Sequence, residues 1–194
     1  MVSTMHCYKK TERRLLPLLL LLLLVSSSLL QAAEFQLRDS AIREVAGRWL
    51  LDATIDYHLS ETAREALSSG VPITLQLDLT VERQRRYWFN QRIRDVALRW
   101  QLRHHPLSGQ YLIRNLNSGN LSTYPTLDSA LEAIGHQRDL LLLQPDERGT
   151  GDRFEVELQS WLDIEALPAP LRPIAYVTAA WRLNSERYQW RIKP

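Results

Sequence analysis

Two stretches of this chain alternate apolar and polar residues strictly enough to leave little choice of backbone. From Trp49 to Leu59, the residues Trp49, Leu51, Ala53, Ile55, Tyr57 and Leu59 fall on one side; Leu50 aside, Asp52, Thr54, Asp56 and His58 fall on the other. Ile73, Leu75, Leu77, Leu79 and Val81 repeat the pattern against Thr74, Gln76, Asp78, Thr80 and Glu82. Successive side chains of a strand leave on opposite faces, so a period of two means a strand with one face buried. Between the two strands, Ser60 caps a helix predicted over Glu61 to Ser69, with Gly70 after its end and Pro72 beyond.

The same reading extends along the chain. Phe35 to Arg43 is read as a first strand, and Val96, Leu98, Trp100 and Leu102 as the inward side of another. Ser108-Gly109 turns the chain into Gln110 to Leu116, and Asn117 to Asn120 forms the next turn. Thr126 caps a helix over Leu127 to Ile134, with Gly135 as its stop. Leu140 to Leu143 reads as a short buried strand, Pro145 to Asp152 as a mobile loop, and Arg153 to Asp163 as another alternating strand. After Pro168, Pro170 and Pro173, the stretch Ile174 to Leu183 fits both periods and is read as helix, and Tyr188, Trp190 and Ile192 alternate as a closing strand. About eight strands and two or three short helices, joined mostly by tight turns, predict an α+β fold of mainly antiparallel sheet, sandwich-like or curved.

Residues 1 to 33 are sequence of another kind. Lys9, Lys10, Arg13 and Arg14 precede an eleven-residue apolar run, Leu15 to Val25, followed by serines and the small pair Ala32-Ala33. These are the basic, hydrophobic and cleavage regions of an export signal, and the run is short of the ~20 residues a spanning helix needs. A cleaved signal is the expectation and an uncleaved membrane anchor the alternative; Gln31 suits a cut after Ala33 poorly, which leaves a cut after Ala32 or none. Arg13-Arg14 makes a poor twin-arginine signal beside Glu12 and Pro17. Residues 34 to 194 are then one domain.

Removing the segment changes the electrostatics. It carries four of the 24 basic and one of the 22 acidic residues, leaving 20 against 21, a formal charge of minus one. The basic balance of a nucleic-acid binder is absent. The single cysteine, Cys7, precedes the apolar run, so it is no lipoprotein acylation site. Cleavage would leave no disulfide, thiol nucleophile or thiolate metal site.

Three groups of residues invite a chemical reading. His104 and His105 are adjacent on a strand and so leave on opposite faces, which prevents them from sharing a metal there; structural histidines are the expectation. Asp52, Asp56 and His58 would lie near Asp78 and Glu82 if their strands were neighbours, giving paired carboxylates for acid-base or calcium chemistry. They occupy the solvent side of amphipathic strands, so a charged surface ladder is the simpler reading. The stretch VERQRRYWFNQRIR places Arg83, Arg85, Arg86, Arg92 and Arg94 around Tyr87, Trp88 and Phe89. Guanidinium groups grip carboxylates and phosphates and aromatics supply stacking area, which makes Arg83, Arg85, Arg86, Trp88, Arg92 and Arg94 the candidate recognition surface. Arginine outnumbers lysine 19 to one after residue 33, however, and Trp88 could serve as a core plug. No G-x-S-x-G, Ser-x-x-Lys or glycine-rich phosphate loop occurs, so no catalytic residue, cofactor or metal is assigned and a non-enzyme is expected.

The pieces YHLSETAREALSSGVPITLQLDLTV, RRYWF, LRHHPLSGQYLIRN, TLDSALEAIG, LPAPLRP and AAWRLNSERYQW, in this order, resemble the proteobacterial envelope proteins grouped as domain of unknown function 4390, over residues 35 to 192. The most specific piece is the hairpin Leu102 to Tyr111, where His104 stands in place of the family's usual tyrosine and Pro106 in place of a small residue. The resemblance implies an exported protein without established activity, from which no catalytic residue carries over. It also implies a membrane sensor kinase of the nitrogen-regulation type as a genetic neighbour.

Together these readings predict a non-enzymatic periplasmic interaction module, free or associated with the inner membrane, with an envelope protein such as a sensor kinase as partner. Membrane contact would come through the N-terminal segment alone, if uncleaved. A lipid or cell-wall glycan binder using Trp88 and Trp100 is the alternative, and a metal-assisted hydrolase built on Asp52, Asp56 and His58 the third reading.

Overall fold

The computed structural model describes residues 35–85, 88–149 and 151–193; the expected signal segment, Arg86 and Tyr87 lie outside them. The chain divides into two units, Met1–Ala32 and Ala33–Pro194, and every described residue belongs to the second. In chain order the elements are β1 (Phe35–Val45), β2 (Arg48–Tyr57), α1 (Glu61–Ser68), β3 (Ile73–Arg83), β4 (Gln91–His105), β5 (Gln110–Asn115), β6 (Leu121–Tyr124), α2 (Leu127–Gly135), β7 (His136–Leu143), β8 (Phe154–Leu162), α3 (Arg172–Val177) and β9 (Tyr188–Ile192). The strands form two antiparallel sheets, β1-β2-β7 and β6-β5-β4-β3-β8-β9. The α+β, mainly antiparallel architecture read from the alternation is therefore the architecture observed, with nine strands among the described residues.

The predicted inward positions form the core. Leu51, Ala53, Ile55 and Tyr57 of β2 and Ile73, Leu75, Leu77, Leu79 and Val81 of β3 are buried, in one cluster with Phe154, Val156, Leu158 and Leu162 of β8. Within that apolar layer one polar chain fixes position. The Ser160 hydroxyl donates to the Gln76 carbonyl at 2.7 Å, which leaves its oxygen to accept from Tyr57 at 3.0 Å, and the Ser160 N–H donates to the Ser185 hydroxyl at 2.9 Å. Apolar burial is non-directional, whereas these bonds join the two sheets at one register. The sheets are also tied at both margins. Leu37 N–H donates to the Tyr188 hydroxyl at 3.0 Å beside a bridge from Phe35 to Ser185, and Arg94 Nε donates to the Leu142 carbonyl at 3.2 Å.

Several expectations are corrected. β2 and β3 lie in different sheets, because α1 carries the chain from one sheet to the other; Asp52 and Asp56 therefore do not meet Asp78 and Glu82. Ile174 to Leu183 is not one helix: α3 ends at Val177, Thr178 is extended (φ −98°, ψ 126°), and a single 3-10 turn follows at Ala179–Trp181. The loop Pro145 to Asp152 contains a 3-10 turn at Pro145–Glu147, and ion pairs run to it from Arg83 to Asp152 at 3.1 Å and from Arg94 to Glu147 at 3.0 Å.

The two glycines read as helix stops do different things. Gly70 has φ +88°, and the bonds Gly70 N–H to Leu67 O and Val71 N–H to Ala66 O close the end of α1 in a left-handed cap that favours glycine. Gly135 is instead the last residue of α2, and a Cβ built there would stand 2.1 Å from the Ile55 carbonyl oxygen. It is glycine because α2 lies directly on the backbone of β2.

Two outcomes are expected. Gly135→Ala must push α2 off β2 and should cost about 3 kcal/mol or more, read as a lowered midpoint in denaturant unfolding. Burial pushes the Tyr57 hydroxyl up to about 12 from its ordinary 10.0, against the opposing effect of the Ser160 bond. The unfolded chain thus releases this proton first, and stability should fall as pH rises between those values. Tyr57→Phe, which loses about 1 kcal/mol with the hydrogen bond, should flatten that alkaline slope in pH-dependent melts.

Candidate interaction surface

β3 and β4 are joined by the turn Gln84–Asn90, and the arginines around it divide into two sets. The division follows strand parity and one irregularity. Val81 pairs with Arg94 but Glu82 pairs with Arg92, so Ile93 is an extra residue that reverses the facing of β4 beyond it. Arg94 consequently shares the inward face of Val81, and Arg92 the outward face of Glu82. Arg83 continues the inward parity of β3 and pairs with Phe154.

The inward set serves the fold. Arg94 makes two bonds of 3.0 Å to the Glu147 carboxylate, and Arg83 bonds the Glu147 carbonyl, faces Asp152 and lies 5.5 Å from the Phe154 ring centroid. Their side chains are 24% and 19% exposed, for Arg83 and Arg94 respectively, so both guanidiniums are turned mainly toward the protein. The outward set is the more exposed. The Arg92 side chain is 60% exposed, with Asp95 at 2.8 Å and Glu82 at 3.7 Å, and exposed Arg85 touches only Gln91 by hydrogen bond among the described residues. At the turn itself Trp88 is 78% and Phe89 96% exposed. Trp88 is no core plug.

Beside the turn is an open cleft of about 500 Å³ lined by Gln84, Arg85, Gly151, Asp152 and Arg153. By sequence alone Arg153 marks only the start of a strand, and Phe89 is one of three neighbouring aromatics. The signal available for both was position next to a turn, where a side chain has no facing strand to cover it.

Residues 32–191 match the family described as Domain of unknown function (DUF4390). The chain is a DUF4390 protein. No curated protein and no solved structure matches it.

Other candidate residues of the DUF4390 domain sit elsewhere. Trp100 is buried at 6% exposure, on the wall of a cleft of about 210 Å³ shared with Ile113, Tyr124 and Ile134. His104 lies on the Trp100 and Leu102 side of β4, 4.8 Å from the Tyr111 ring and 3.2 Å from the Ser68 carbonyl through Nδ1, while His105 contacts the Ser108 hydroxyl at 3.2 Å. The two imidazoles face opposite ways, as the strand period requires. Asp52 accepts from Arg43 and from the Asp139 N–H, each at 2.8 Å; the Arg43 guanidinium, with that N–H, holds its carboxyl below the usual range. Those bonds stabilise Asp139, a non-glycine residue at φ +57° in the irregular stretch of β7. Asp56 and His58 line a groove of about 350 Å³ with His136, Asp128 and Glu132, where Arg38 occupies Asp56 at 2.8 Å. Among the described residues no three His, Cys, Asp or Glu side chains form a group that could hold a metal ion.

The two arginine sets should respond differently to truncation. Arg94→Ala strands part of the Glu147 carboxylate and unties β4 from β7, and should cost about 2 kcal/mol of stability. Arg92→Ala should cost less than about 0.5 kcal/mol. Equilibrium urea unfolding of both variants checks the contrast.

Proposed function

We propose that this DUF4390 chain is a non-enzymatic interaction module of the cell envelope, exported to the periplasm, that recognises a protein partner through the β3–β4 turn. The observation that carries the reading is the exposure of Trp88 and Phe89 together, 78% and 96%, with Arg85 and Arg92 beside them. A folded domain with a filled core has no internal use for two adjacent exposed aromatics, and aromatic and arginine side chains are the types that anchor protein interfaces. The flanking guanidiniums suit a partner surface that carries carboxylates. The family resemblance implies a membrane sensor kinase as a genetic neighbour only, and we take its extracytoplasmic part as the partner class to test.

The test is a photo-crosslinking residue at position 88 or 89 of the full-length tagged protein in cells, followed by mass spectrometry. A specific membrane protein should be captured at both positions. With the photo-crosslinking residue placed instead at exposed position 90, Trp88→Ala with Phe89→Ala should leave the melting temperature unchanged and weaken capture at least about tenfold. Undiminished capture would remove the turn from the interface, and crosslinks to lipid or glycan alone would favour the binder reading.

A further inference from the structure

A second apolar surface lies away from the β3–β4 turn, and the partner reading makes no use of it. Ile174, Tyr176 and Val177 of α3 are 58%, 48% and 77% exposed, while Ala175 is the residue of the helix that is buried. From Pro168 to Ala180 the one charged residue is Arg172. A surface helix ordinarily turns its polar side to water; α3 turns apolar side chains there.

Its place in the fold follows from one side-chain bond and the backbone bonds of the segment after it. Arg182 donates to the Tyr176 carbonyl at 2.8 Å, and two residues later the Asn184 carbonyl accepts from Phe35 N–H at 3.3 Å, so α3 lies beside the point where the chain enters the domain. Leu183 accepts from Leu162, which pairs with Leu75, so this is the end of β3 opposite Arg83. The β4–β5 turn, with Leu107 94% exposed, projects from the same end. Upstream of Phe35, nine residues separate it from Val25, the end of the apolar run Leu15 to Val25. Fully extended, they span at most roughly 35 Å.

We propose that Ile174, Tyr176 and Val177 rest in the interfacial layer of the bilayer that the run Leu15 to Val25 enters, making α3 a second membrane contact. The proposal rests on the alternative reading of residues 1 to 33, an uncleaved membrane anchor, and is independent of the partner reading. An aliphatic and tyrosine surface with arginine at its margin is the chemistry of the water–lipid boundary. The tether keeps that boundary within reach, which raises its effective concentration over that of any free partner. A second copy is a poor occupant, because three side chains of a six-residue helix fall well short of the about 800 Å² per partner that a stable dimer buries. No helix among the described residues is long and apolar enough to cross a membrane, so the contact is with its surface.

The experiment uses the full-length chain carrying Cys7→Ser and a polarity-sensitive dye on either Val177→Cys or Phe89→Cys, floated with vesicles of phosphatidylethanolamine containing phosphatidylglycerol as the minor lipid. Flotation is expected, with the dye at 177 blue-shifted and quenched by brominated lipid and the dye at 89 reporting water. Adding Ile174→Glu and Tyr176→Glu, both at exposed positions, should return the 177 signal to that of water while flotation persists. A chain that does not float overturns the membrane reading of the N-terminal segment and this proposal together. Flotation with the 177 dye in water overturns this proposal alone. A blue shift that grows with protein concentration without vesicles also overturns it, assigning the strip to a second copy.

Discussion

The alternate side chains of β2, β3 and β8 meet in one apolar layer, and each remaining element is placed by what it does to close that layer. β3 is the strand with most to satisfy: it pairs with β4 on one side and β8 on the other while burying every odd residue from Ile73 to Val81. Apolar contact supplies most of the driving force but little positional information. The chain Tyr57, Ser160 and Gln76 supplies the latter, because hydroxyls buried in the core must find their partners at bonding distance. The ring of Phe35 packs edge-on against that of Tyr57 at 4.7 Å, so the first residue of β1 is bound to the same point.

What was legible in the sequence was whatever a local period could encode. β2, β3, β8 and the opposed facing of His104 and His105 follow from the two-residue repeat, and Ser60 and Thr126 cap their helices as their residue types require. β6 was missed because Leu121 to Tyr124 has no buried face: Leu121, Ser122 and Thr123 are all exposed at a sheet edge, and alternation marks a strand only when one side is covered. The partition into two sheets was invisible for a different reason. Pairing is a long-range choice, and nothing in β2 or β3 alone states that α1 sends them to different sheets. Gly135 misled because glycine at a helix end has two uses, the left-handed cap and the close approach, and only the carbonyl of Ile55 decides between them.

The arginines show the same limit at the candidate site. Arg83 and Arg94 could be assigned to the core face by parity, but Arg92 has the parity of Arg94 and the opposite facing. The extra residue Ile93 separates them, and a β-bulge leaves no dependable mark in a single sequence. A segment that reads as one basic patch thus becomes a clamp and a surface. The clamp holds the 145–152 loop against β4, and that loop supplies Asp152 and neighbours Arg153 at the cleft beside the exposed aromatics. Fold and surface share residues here: weakening the clamp would disturb the cleft without touching any exposed side chain.

The position of the turn on a central strand has a mechanical consequence. Trp88 and Phe89 sit on the connection between β3 and β4, two long interior strands paired along the whole length of β3, so the turn is carried by the middle of the sheet. From Leu75, beside the segment that receives the chain at Phe35, to Arg83 is eight residues, about 26 Å at the rise of a strand. With α3 against a bilayer and β3 running away from it, the aromatic turn would stand at a height set by strand length and sheet pairing, which a flexible tether could not define. A partner that presents its binding surface at that height would meet the turn without the domain having to reorient. A domain held only by the residues before Phe35 would sample many orientations and lose effective concentration at any one of them.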